Sequence, residues 1–125
     1  MDPFEHDYVS EAGARRQWTL EQAETQLPPI GATPRSAAVY RHGSLLLKLF
    51  APIDTDPQQP HRRDEIYFVA RGDGWFVNGE RRHPFSAGDV LFVAAGQAHR
   101  FEQFSENLRL WVMFYGPEGG ESRES

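Results

Sequence analysis

Cysteine is absent from the 125-residue chain, and lysine is nearly so, with Lys48 its single example. The lack of cysteine excludes disulfides, zinc fingers, iron–sulfur clusters and a thiolate nucleophile. It does not fix the compartment. Positive charge is almost all arginine, in short pairs at Arg15-Arg16, Arg62-Arg63 and Arg81-Arg82, within a formal net charge of −5. Such a chain lacks the basic stripe that nucleic acid requires, so no nucleic-acid partner is expected. Long hydrophobic runs are missing too. The longest, Leu45 to Ile53, is broken by Lys48 and Pro52 and is too short to cross a bilayer. The opening MDPFEHDYVS has neither the basic nor the apolar region of a secretory signal. A soluble, cytoplasmic protein without a membrane partner is the expectation.

What remains suits one domain able to bury a core. Residues 1–17 read as a polar arm, 18–116 as the folded barrel, and 117–125, GPEGGESRES less its first residue, as a flexible tail with little to pack. Thr19 to Pro29 predicts a short helix, with Thr19 as cap, Gln22 at the capping-box position and Pro28 as the stop. Beyond it, SAAVYR, SLLLKLFAPI, DEIYFVAR, WFV, VLFV, AHRFEQF and LRLWVMFY read as strands, and DTDPQQP as a loop. Asn78-Gly79 marks a hairpin. About eight short antiparallel strands at this spacing predict an all-β sandwich or barrel. Several are apolar on both faces, so one face fills the interior while the other packs on a second layer or a partner chain. Tyr67, Phe92, Phe101, Trp111 and Met113 are the aromatic and thioether core candidates.

The stretch QPHRRDEIYFVARG, residues 59–72, places His61 and Glu65 four apart before an apolar run. On an extended strand Gln59, His61 and Glu65 share one face. In GDVLFVAAGQAHRFEQ, residues 88–103, the turn Ala94 to Gln97 leads into a strand that begins at His99, with Phe101 and Gln103 on its face. A hairpin there can bring His99 beside Glu65. Two imidazoles and a carboxylate form a ligand set for non-haem Fe(II), and zinc accepts the same set.

These two stretches resemble the motifs of the small single-domain cupins. The first motif ends His-x-His, three or four residues, Glu, six residues, Gly; its second His, Glu and Gly fall on His61, Glu65 and Gly72. The second motif is Gly, five residues, Pro-x-Gly, two residues, His, three residues, Asn, and falls on Gly88, Ala94, Gly96, His99 and Gln103. Gln59 replaces the leading His, Ala94 the Pro and Gln103 the Asn, and the opening Gly of the first motif is missing. The resemblance implies a jelly-roll β-barrel, to which the Thr19-capped segment adds a short N-terminal helix. It also implies one divalent transition metal (Zn, Fe, Mn, Ni or Cu) on His61, Glu65, His99 and Gln59. Tyr67 shares the parity of Glu65, and Phe101 and Gln103 that of His99, so these three are the candidate contacts for a small-molecule substrate, with core filling the alternative for the two aromatics.

Two readings of the triplet stand: a metal site, or the remnant of one in a barrel that has lost its metal. Three functions follow. The first is a metal-dependent enzyme of dioxygenase or isomerase type acting on a small polar metabolite. The second is a non-catalytic binding or sensor module, and the third a storage role. Strand edges need covering, and the arm 1–17 with the apolar LRLWVMFY makes a homodimer the expected assembly.

Overall fold

The computed structural model describes residues 17–122. Of the arm 1–17, only Gln17 lies within that range, so the arm falls outside the described residues. Eight strands follow one short helix, α1 (Leu20–Glu24): β1 (Ser36–His42), β2 (Leu45–Phe50), β3 (Asp64–Arg71), β4 (Asp73–Asn78), β5 (Arg81–Ser86), β6 (Val90–Val93), β7 (His99–Glu102) and β8 (Arg109–Tyr115). The capping box forms as the sequence requires, with Thr19 and Gln22 each bonding the other's backbone N–H. The helix ends three residues sooner than Pro28 would stop it, because Thr25 turns its hydroxyl back onto the Gln22 carbonyl.

The strands form two antiparallel sheets, ordered β1-β2-β8-β3-β6 and β5-β4-β7. The two face each other across one core, as in a jelly roll. Among the described residues no ladder joins the sheets, but the Asn78 amide donates to the Phe92 carbonyl and ties β4 to β6. The hairpin at Asn78-Gly79 pairs Asn78 with Arg81, and Gly79 takes the left-handed φ of 64° the turn needs. β5 carries Pro84 in its middle, which is tolerated because β5 is an edge strand.

Alternation sorts the faces. In β8, Leu110, Val112 and Phe114 are buried, while Trp111 and Met113 lie half-buried on the outer side. Paired residues share a face, so Glu65 sits in the inner row of Phe114 and Leu46, and Tyr67 in that of Val112 and Lys48. The single lysine therefore points inward, and it is fully buried. Phe101 joins the core, but Phe92, a core candidate from the sequence, is 50% exposed. It has the outward parity on β6, opposite Ile66. After β8 the chain does not leave the body at once. Gly119 N–H donates to the Arg62 carbonyl, and Glu121 N–H to the Asp64 carboxylate. These main-chain bonds need no apolar side chain, which is why composition gave no hint of them.

Candidate metal centre

Three elements converge on one end of the barrel. β3 supplies Glu65 and Tyr67 from its inner face, and β7 begins with His99, set opposite Asn78 of β4. His61 comes from irregular chain just ahead of the bend at Arg62-Arg63, rather than from a strand. Its backbone is pinned by Gly96, whose N–H donates to the His61 carbonyl at 2.7 Å. Gly96 has φ 80°, so the tight turn before β7 both delivers His99 and holds His61.

The ligand-type atoms of His61, Glu65 and His99 all lie within 4.8 Å of one another, and all three residues are buried. Glu65 Oε1 stands 3.0 Å from His99 Nε2 and 3.9 Å from His61 Nε2. The His99 Nδ1–H donates to the Gln97 carbonyl at 2.9 Å. That fixes the proton on Nδ1 in the neutral ring and leaves a lone pair on Nε2. Two acceptors, a carboxylate oxygen and an imidazole nitrogen, thus face each other in a buried site. Both Glu65 oxygens lack a hydrogen-bond partner among the described residues. A buried carboxylate in that state is costly unless a cation completes it. The donor set therefore fits a divalent transition metal.

A proton can fill the same gap. Burial opposes the charged form of His99, but the Glu65 carboxylate and the Gln97 carbonyl outweigh it, and the His99 pKa is raised above 6.5. Tyr67 is pushed well above 10.0 by burial and by the charges of Glu65 and Asp56, so its hydroxyl stays a donor. That hydroxyl lies 3.2 Å from both His99 Nε2 and Gln58 Oε1. Rings of Phe114 and Phe76 close over His61 and His99, with centroids 5.3 and 6.3 Å away.

Two sequence expectations need correcting. Gln59 is exposed, and the amide oxygen against His61 Nε2, at 2.9 Å, belongs to Gln58. β3 starts only at Asp64, so the two-residue alternation does not reach back to Gln59. Gln103 is exposed as well, and its oxygen accepts from Arg82. β7 ends at Glu102 and Gln103 takes φ 47°, which turns it off the inner face. Phe101 is placed as expected in parity, but its ring packs in the core against Tyr67, Phe76 and Phe85. Sequence reasoning missed Asp56 and Gln58, which it had assigned to a loop. The available signal was a carboxylate and two amides immediately before a ligand histidine.

A cavity of about 490 Å³ opens beside the site, walled by Arg35, Phe50, Ile53, Asp56 and Gln58 and reaching His61. Glu65 and His99 are not among its lining residues. The volume is within the range of small-molecule pockets.

The chain matches the family described as Cupin domain over residues 47–114. It is 44% identical over 64 residues to an uncharacterised protein of Streptomyces coelicolor, covering 51% of this chain and 61% of that one. It is 29% identical over 85 residues to the HTH-type transcriptional activator RhaR of Mannheimia succiniciproducens, covering 62% of this chain and 30% of the relative. The chain thus spans less than two thirds of either curated relative. Among solved structures, a cupin 2 conserved barrel domain protein of Salinispora arenicola superposes with a TM-score of 0.62 at 18% identity, covering 83% of this chain and 91% of that one. At that identity the likeness is one of fold.

Proposed function

The chain belongs to the cupin family, and from that premise we propose that it is a metal-dependent enzyme of oxygenase or isomerase type that acts on a small polar metabolite. The observation that carries this reading is the fully buried Glu65 carboxylate, unbonded and facing the His99 lone pair. His61, Glu65 and His99 would hold the ion, which when bound supplies Lewis acidity, or O₂ chemistry if it is iron. The chain's own residues do the rest. Tyr67 holds its proton and offers it as a hydrogen bond at the site. Phe76 and Phe114 exclude water. Phe50 and Ile53 give the cavity an apolar wall, and Arg35 gives it a polar point of attachment. Fold alone does not select the reaction. The test is turnover of candidate metabolites by the Fe(II)- and Zn(II)-loaded protein; equal turnover after stripping with EDTA overturns the metal-dependent reading.

The similarity to a transcriptional activator favours a second reading, in which the same barrel binds a small ligand as a sensor module. Ligands that raise the melting temperature but are recovered unchanged would support it.

For assembly, the outer face of the larger sheet supports a homodimer. Phe68 is 40%, Val90 62% and Phe92 50% exposed. Phe68 pairs with Val90 and Ile66 with Phe92, so the four form one patch continuous with Trp111 and Met113. Contiguous apolar surface of this kind marks an interface. Light scattering that returns a monomer at micromolar concentration rejects the dimer.

A further inference from the structure

The segment between β2 and β3 brings a second polar pair to the metal centre. Asp56 is buried, and its Oδ2 accepts the Phe101 backbone N–H at 2.9 Å and the Gln58 amide N–H at 2.8 Å. A glutamine side chain can present either end of its amide, but an acceptor on one side selects the nitrogen for that side. Gln58 Oε1 is therefore the end turned inward, 2.9 Å from His61 Nε2 and 3.2 Å from the Tyr67 hydroxyl.

That placement has a consequence for a loaded site. Once His61 Nε2 binds a cation it carries no hydrogen, and Gln58 Oε1 then meets it lone pair to lone pair. The cation removes the conflict if the oxygen binds it as well. The spacing agrees. Metal bonds of about 2.0–2.2 Å put neighbouring ligand atoms roughly 3.0–3.6 Å apart. The observed separations of 2.9 Å (Gln58 to His61), 3.0 Å (Glu65 to His99) and 3.9 Å (Glu65 to His61) lie in or near that range. We propose that Gln58, not Gln59, is the fourth protein ligand, and that Asp56 is the positioning residue that aims its oxygen. This rests on the proposed metal site and adds a ligand and its support.

The experiment titrates the metal-stripped full chain with Zn(II) against a chromophoric chelator, and records the visible spectrum of the Co(II)-loaded protein. Gln58→Leu keeps the side-chain bulk without the oxygen, and Gln58→Ala removes both. Each is expected to weaken Zn(II) binding about 10–100-fold and to alter the Co(II) bands, with Gln59→Ala unchanged on both readouts. Asp56→Ala is expected to lose affinity similarly, while Asp56→Asn, which keeps an acceptor oxygen, retains it within about threefold and keeps the Co(II) spectrum. Gln58 variants with wild-type affinity and spectrum overturn the proposal and leave the three-residue site intact. A wild-type chain that binds neither ion overturns both.

Discussion

Glu65 carries a cost that a cation in the site, or a proton on His99 Nε2, removes. Its carboxylate is fully buried and accepts no hydrogen bond from a described residue. The Glu65→Gln amide could donate to His99 Nε2 and would bear no charge. The metal-free variant is therefore expected to melt no lower than the metal-free wild type at pH 8, with a gain of up to about 2 kcal/mol, while Zn(II) binding is lost. A large drop in melting temperature would contradict this. His99 sets the pH dependence. Its raised pKa means that metal must displace a proton from Nε2 as pH falls, so affinity should begin to drop above pH 6.5 and then fall about tenfold per pH unit. The same shift makes protonated His99 stabilise the metal-free fold at low pH, a contribution lost as pH rises through the raised pKa. Titrating affinity between pH 5 and 8 measures the first effect directly. At this scale the sequence was legible where spacing alone decides contact. His61, Glu65 and His99 do meet, although His61 arrives from irregular chain rather than a strand. It was illegible where a contact depends on loop geometry, which is why Gln59 stood in for Gln58 and Asp56 went unnoticed.

At the scale of elements, period and turn chemistry carried the reading far. DEIYFVAR and VLFV match β3 and β6 residue for residue. Strand ends were less legible, because a single positive φ at Gln103 is enough to break the face assignment. Glycines at two such ends make a test. Gly72, which closes β3, and Gly88 both take φ 97°. A Cβ on Gly72 would lie 2.8 Å from the Leu108 backbone and 2.6 Å from Ser105 Oγ, whereas one on Gly88 would meet nothing within 4 Å. Gly88→Ala should cost only the backbone strain, about 1–2 kcal/mol. Gly72→Ala should cost about 3 kcal/mol or more, because backbone must move. Urea unfolding of the two variants compares them, and equal costs would show that the Gly72 contact is relieved without strain.

At the scale of the molecule, the described residues form a two-sheet barrel whose larger sheet is apolar on both sides. The inner side builds the core and the candidate metal centre; the outer side leaves Phe68, Val90 and Phe92 in contact with solvent. Phe68→Glu should convert a dimer to a monomer in light scattering without changing Zn(II) affinity, since Phe68 and Glu65 lie on opposite faces of β3. The sequence announced this double-sided character through its unbroken apolar strands, but could not say which aromatics faced outward until the register was known.

The most direct test of the metal centre is the metal content of the tag-free protein, measured as purified by elemental mass spectrometry beside His99→Ala. The account predicts about one equivalent of a divalent transition metal per chain, absent from the variant. Wild-type protein without metal, even after soaking with Fe(II) and Zn(II), would contradict it and make His61, Glu65 and His99 remnants in a ligand-binding barrel.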